Sequence, residues 1–323
     1  MLRPSDSVVR AITIDGAFRV ITALTTETVR GAIAVQSASG ATAQRLGELI
    51  TGAILVREAM APNLRVQAIV KGASGNGTLV ADSHPDGTSR GLVNLGKGAA
   101  DGSAVEVGQG SLLQVMRTLP SGMLHQGVVE VPAAGGISGG LMAYMQESEQ
   151  VVSMIAVATL LGEDGVGASG GYLVQLLPEV ERGPLMVMTE RLKDFERLDE
   201  VLAHEGASAD VLLEELLHGM PFSRLDDSPL SFSCRCSELR VMTTLASLPR
   251  SDIEEMVEDG KVLDIRCDYC GKDYQVSPSQ LRAAPLAADD ELTAERPAPA
   301  RAPAGAALVT PAGGARGRAS RRR

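Results

Sequence analysis

Along the first 180 residues apolar and polar positions alternate in short runs, interrupted in a few places by apolar residues at helical spacing. Residues 8–24, VVRAITIDGAFRVITAL, are rich in β-branched side chains on either side of Asp15-Gly16, a favoured two-residue turn, and predict a hairpin. Thr25 or Thr26 is placed to cap a helix that carries Glu27 in its first turn and runs to about Ser37. Within residues 42–60, Leu46, Ile50 (or Leu49), Ile54 and Val56 recur at helical spacing. Residues 64–72 return to alternation through Leu64, Val66, Ala68 and Val70, the signature of a half-buried strand. Further strands are predicted at 78–81, 90–94, 111–118, 127–131, 152–160 and 171–177, with a short amphipathic helix at 139–150. Strands close together with few crossover helices predict an α+β core domain over residues 1–180, with largely antiparallel sheets.

The pattern then changes. From Glu179 to His218 eleven acids stand against four bases and β-branched residues thin out. Residues 183–206 and 207–220 predict two helices, with Pro184 suited to a first turn and Ser208 to a cap. Leu192, Phe195, Leu198 and Leu202 form one apolar stripe on an otherwise charged surface. Such helices are marginal alone and hold by docking that stripe, so residues 181–230 read as a helical linker and metastable hinge.

A small module follows, residues 231–284. Between its halves the pattern predicts a helix, a break at Pro249 and a second helix, for which Ser251 and Glu254 give a capping-box signature. Residues 285–323 are dominated by Ala, Pro, Gly and Arg, with six Arg and no acid from Pro297 onward. That composition predicts a disordered, solvated tail.

Composition narrows the function classes. The chain has 323 residues, 44% of them hydrophobic, enough for two domains. Four Phe, four Tyr and no Trp imply an aliphatic core and few platforms for stacking bases. A net charge of −10 and a pI near 5.0 disfavour nucleic acid and anionic lipid as partners. Residues 1–16 show no apolar run after their charges, and no run of about 18 apolar residues occurs anywhere. The expectation is a cytoplasmic protein with neither export signal nor membrane span.

All four cysteines fall in one short stretch: Cys234-x-Cys236, thirty intervening residues, then Cys267-x-x-Cys270. In a chain that is not exported such a cluster favours metal binding or redox sensing over permanent disulfides. Four thiolates complete a tetrahedral zinc shell; the wider spacing lets both sulfurs of the second pair point at one ion, and Gly271 permits a tight turn behind them. The one-residue spacing of the first pair suits an extended segment twisted locally so that its sulfurs converge. A structural zinc site contributes on the order of 10–16 kcal/mol of apparent binding energy in small peptides. A whole domain has only about 5–15 kcal/mol of stability, so a module this small depends on its metal. Zinc thiolates are also oxidisable, which leaves a purely structural site and a switch both open.

Other motifs carry less. GVGASG (165–170) matches GxGxxG but lies before a strand, where the dinucleotide fingerprint must follow one and open a helix; it reads as a hairpin loop. HEGAS (204–208) lacks the second His of a metalloprotease site. His84, His125 and His218 read as ordinary surface or partly buried residues, and no catalytic constellation stands out, so no enzyme is expected.

With the cysteines placed, the sequence resembles the redox-regulated heat-shock chaperone family, the 33 kDa chaperonins. FSCRC and IRCDYCGKDYQV are similar to that family's CxC and CxxC zinc motifs; ESEQV (147–151), GGYLVQLLP (170–178), LVADSHPDGTSRGLV and ETVRGAI are further similarities, spread from about Thr13 to Leu281. Residues 119–136 and the Arg-rich tail depart from the family pattern. The resemblance implies a holdase that is silent while reduced and bound to one zinc ion. On oxidative stress it implies local disulfides, carried over as Cys234–Cys236 and Cys267–Cys270, then zinc release, loosening of the linker and binding of unfolding clients. It further implies a homodimer when oxidised and transfer of clients to ATP-dependent chaperones. Two other classes compete. A zinc-ribbon nucleic-acid binder would use the cysteine pairs and basic tail, against the acidic balance. A thiol–disulfide oxidoreductase would need Cys267 and Cys270 to open a helix, whereas they lead into a predicted strand.

Overall fold

The computed structural model describes residues 5–60, 62–75, 77–95, 104–163, 165–178 and 180–283; the predicted disordered tail, 285–323, lies outside them. Strands β1 (Ser7–Thr13) and β2 (Phe18–Leu24) form the expected hairpin, followed by helices α1 (Thr26–Gln36) and α2 (Gly40–Met60). Five strands follow: β3 (Val66–Lys71), β4 (Thr78–Ser83), β5 (Thr88–Asn94), β6 (Leu112–Thr118) and β7 (Leu124–Glu130). Helix α3 (Gly136–Glu147) leads into a second hairpin, β8 (Ser153–Gly162) and β9 (Gly165–Leu176). Next come α4 (Arg182–Lys193), α5 (Leu198–Ala203), α6 (Ala209–Leu216), β10 (Phe222–Pro229) and β11 (Ser231–Phe232). The last elements are α7 (Glu238–Leu245), α8 (Arg250–Glu258), β12 (Leu263–Arg266), β13 (Asp273–Val276) and α9 (Pro278–Ala283). The α+β class is as expected.

Two compact units result, one of Met1–Val241 with Val262–Ser277 and one of Met242–Lys261 with Pro278–Arg323. The larger is built on a five-stranded sheet, β10-β1-β2-β9-β8, and a six-stranded sheet, β11-β5-β4-β3-β6-β7. Every pairing within them is antiparallel except that of β11 with β5. Alternation sorts the five-stranded sheet cleanly. Val8, Ile21, Ile155 and Leu173 face a core shared with the six-stranded sheet, whereas Val9, Val20, Tyr172 and Val174 face the other way.

Helix α2 supplies the middle of the shared core. Sixteen of its 21 residues are buried, so the stripe at Leu46, Ile50 and Ile54 is only part of a helix enclosed on all sides. Its two last buried charges are paired, Arg57 and Arg10 both meeting Glu58. The cap of α1 differs from expectation. Thr25 occupies the cap position, but its hydroxyl is committed to Thr51 at 2.7 Å, and Asp6 caps instead, accepting from Glu27 N at 3.1 Å and Thr28 N at 2.6 Å. The carboxylate reaches the helix start because β1 runs beside it.

The outward face of the five-stranded sheet is covered by the linker. Met188, Phe195, Leu198, Leu202, Leu212 and Leu216 pack on it, and Phe195 meets Tyr172 edge-on at 5.8 Å between centroids. The predicted 183–206 helix breaks in two at residues 194–197, because turning there drives Phe195 and Leu198 onto the sheet. Ser208 caps α6 as predicted, its hydroxyl accepting from Val211 N at 3.1 Å. GVGASG is not a hairpin loop but the first half of β9 itself. A Cβ on Gly170 would stand 2.7 Å from Ala23 O and 2.9 Å from Leu202 Cδ2, so glycine here lets α5 approach the sheet closely.

In the smaller unit α8 packs against α9, with Ile253 and Leu281 buried. The break at Pro249 is present, but the capping box is not: the helix begins at Arg250, with Pro249 at its cap position, and Ser251 lies inside the first turn, bonded to Asp252.

Candidate metal centre

The chain steps from one sheet to the other just before the cysteines. β10 is hydrogen-bonded to β1, and one residue later β11 runs parallel to β5, with Ser233 N donating to Ser89 O at 3.2 Å. Residues 233–237 belong to neither helix nor strand. Cys234 and Cys236 both turn to one point while Arg235 between them pairs with Asp86 in the β4–β5 turn. The second arm is the tip of the β12–β13 hairpin. Cys267 N donates to Lys272 O at 2.9 Å and Gly271 N to Cys267 O at 2.7 Å, and Gly271 takes a φ of +69°, the tight turn its sequence position suggested.

The four Sγ atoms lie within 4.8 Å of one another. Two separations between the arms are 3.7 Å for Cys234–Cys267 and 3.3 Å for Cys236–Cys270. A tetrahedral ion with metal–sulfur bonds of about 2.3 Å needs sulfurs about 3.8 Å apart. The cluster therefore fits such an ion: its donors are soft, its spacing is near the requirement, and all four cysteines are half-buried and free of disulfides.

Local electrostatics makes the four sulfurs unequal. Burial, with the neighbouring sulfurs adding to it, pushes the Cys270 thiol up to about 12. Burial raises Cys267 as well. Burial also acts on Cys236, but hydrogen bonds from Tyr274 and from Cys270 outweigh it and bring that thiol down to about 7. The phenol of Tyr274 donates to Cys236 Sγ at 3.0 Å, and Arg90 Nη1 donates to Cys234 Sγ at 3.4 Å. Arg90 also lies 3.9 Å from the centroid of the Tyr269 ring, and its Nε and Nη2 donate to Asp82 Oδ2 at 3.1 and 2.8 Å. Gln36 ties the knuckle to the core: its amide donates to Asp268 O at 2.7 Å and accepts from Val93 N at 3.0 Å.

Sequence reading brought forward the four cysteines but not these partners. Asp82 and Arg90 were legible in principle, since they stand symmetrically about the turn at Pro85-Asp86-Gly87 and are register partners across β4 and β5. Tyr274 was legible as the inward position of an alternating strand. Gln36 was not, because its contacts with the CxxC arm lie more than 230 residues away. Of the histidines, His218 and His204 are exposed and His125 is half-buried, 3.6 Å from Glu149; His84, expected at the surface or partly buried, is buried with its Nε2 3.5 Å from Asp82. None of the four joins the sulfur cluster.

A family model described as Hsp33 protein matches residues 6–277. The 33 kDa chaperonin of Citrifermentans bemidjiense is 30% identical over 86% of this chain and 96% of its own, and that of Geobacter sp. strain M21 is 31% identical over 86% and 96%. The crystal structure of the 33 kDa chaperonin (heat shock protein 33 homolog) from Thermotoga maritima superposes with a TM-score of 0.73, at 23% identity, over 87% of this chain and 98% of that one. The family match and the fold are thus those of a protein chaperone, a class that binds client proteins and is not an enzyme. The chain belongs to the Hsp33 family. Among the described residues no helix is long and apolar enough to cross a membrane.

Proposed function

We propose that the protein is an oxidation-activated holdase whose switch is one zinc ion held, in the reduced state, by Cys234, Cys236, Cys267 and Cys270. The observation that carries this reading is the convergence of four sulfurs within 4.8 Å in a chain of a chaperone family. Zinc, when bound, joins the CxC arm to the CxxC arm through four thiolates. The division that serves the switch is a core of residues 1–180, a linker of 181–230 and a redox domain of 231–284.

Oxidation acts on the cysteines. Each pair gives two electrons to one peroxide, whose O–O bond breaks and which takes up two protons to leave as two waters. One S–S bond forms between Cys234 and Cys236 and one between Cys267 and Cys270. Disulfide sulfurs are poor ligands, so the two arms lose their common anchor. The linker that precedes them is acidic and held mainly by its apolar stripe, and it loosens with them. The face bearing Val9, Val20, Tyr172 and Val174 then becomes available to apolar segments of unfolding clients. In this state the chain forms a homodimer in the cytoplasm and later passes clients to ATP-dependent chaperones.

The test combines three readings on the reduced and peroxide-treated protein: zinc content, free thiols, and light scattering from a thermally aggregating enzyme. Expected are one zinc and four thiols before oxidation, neither after it, and suppression of scattering only after it. Absence of metal from the reduced protein, or equal suppression in both states, defeats the reading.

A further inference from the structure

Arg90 stands between a carboxylate and a cysteine sulfur that belong to different parts of the larger unit. On one side is Asp82, its register partner across β4 and β5, which is 1% exposed and also receives Arg65 at 2.6 and 3.0 Å. On the other side is Cys234 Sγ, and the guanidinium plane covers the Tyr269 ring from the CxxC arm. The Arg90 side chain touches both cysteine arms and is only 12% exposed. Four thiolates around a divalent ion leave two negative charges, so a fixed cation against one sulfur is attracted strongly where water is scarce.

We infer that Arg90 is a positioning residue that reads the charge of the sulfur cluster and, while Cys234 is a thiolate, holds both arms against β5. The inference rests on the proposed oxidation switch. When Cys234 enters a disulfide its sulfur is neutral, the charge-assisted contact is lost, and Arg90 keeps only Asp82. The stacked Tyr269 loses its alignment with it, because the same guanidinium orients both contacts. Release of the cluster is thereby coupled to release of β11 from the edge of the six-stranded sheet, where Ser231 and Phe232 pair with Thr88 and Ser89, next to Arg90.

The test uses the full-length, reduced, zinc-loaded protein. Arg90→Gln removes the charge and Arg90→Lys keeps it without the fork. Arg65→Gln takes a donor from Asp82 but touches no sulfur. Zinc retention is read by competition with a chromogenic chelator, and backbone hydrogen exchange is read at residues 231–233. Partners that orient a metal ligand are typically worth about 10–100-fold in metal affinity. Arg90→Gln is expected to weaken zinc retention roughly tenfold and to accelerate exchange at 231–233, Arg90→Lys to do less, and Arg65→Gln to leave both close to wild type. Unchanged retention in Arg90→Gln overturns the inference. So does an equal loss in Arg65→Gln, which would mark general damage to the Asp82 cluster. Failure of the wild type to respond to peroxide would strike the switch itself, a result independent of the zinc comparison.

Discussion

Tyr274 Oη donates a hydrogen bond to Cys236 Sγ at 3.0 Å, reaching across from the strand that follows the CxxC arm to the sulfur at the end of the CxC arm. Burial works against the Cys236 thiolate; this bond, with that of Cys270, reverses the balance and brings the thiol from 9.0 to about 7. Removing the phenol in Tyr274→Phe is expected to return it toward the ordinary value. In reduced, metal-stripped protein at pH 7 the thiolate fraction at Cys236 then falls well below the roughly half present in the wild type. Alkylation of Cys236 by iodoacetamide slows accordingly, and an unchanged rate would exclude the phenol as the cause.

Metal retention should fall steeply with acid. A thiol must lose its proton to become a ligand, and here Cys236 does so at about 7 while Cys270 is pushed up to about 12. Each metal lost below neutrality is replaced by at least one proton, so apparent affinity drops roughly tenfold or more per pH unit. Chelator competition at pH 6, 7 and 8 measures the slope. A flat profile would mean that the sulfurs are not the ligands.

Asp82 gives the core an acid-sensitive element. Burial alone would raise its pKa, but His84 beside it and the hydrogen bonds from Arg65 and Arg90 outweigh burial and hold the carboxyl well below its usual 3.8. A depressed folded pKa stabilises fully above the unfolded value and is lost as pH falls through the folded one. Asp82→Asn should therefore cost about 3 kcal/mol near neutrality, by stranding its cationic partners. The gap from wild type should narrow below about pH 4. Urea unfolding at pH 7, 5 and 3 checks it; a gap that widens in acid contradicts the assignment.

Gly170 sets how tightly the linker lies on the sheet. A methyl group there meets Ala23 O at 2.7 Å, which cannot move without breaking the β2–β9 ladder, and Leu202 Cδ2 at 2.9 Å, which can. Gly170→Ala should cost about 1–3 kcal/mol, borne mainly by α5. Cleavage of the exposed 204–206 turn by a protease should accelerate in the reduced protein. The five-stranded sheet should keep its hydrogen-exchange protection. Loss of protection throughout the sheet would show that the strain is not confined to the linker.

Much of this architecture was readable from local pattern. The Asp15-Gly16 hairpin, the alternation of β3, the Ser208 cap, the Pro249 break and the Gly271 turn are each decided by residues within a few positions of one another. What escaped reading is decided at long range. β10 is polar and mostly exposed, and only its pairing with β1, more than 200 residues earlier, makes it a strand. Asp6 displaces Thr25 as the helix cap because a neighbouring strand delivers it. The site divides in the same way: cysteine spacing exposes the four sulfurs, but Arg90, Gln36 and Tyr274 become partners only after the knuckle rests on the core.

The single residue Leu230 separates β10, stitched to one sheet, from β11, stitched to the other. Eleven consecutive residues thus hem the margins of both sheets with one thread. Pull that thread and β1 and β5 are bared together, each offering an unpaired row of peptide N–H and C=O groups. A stretched-out, half-unfolded chain could dock there by its backbone alone, whatever its sequence.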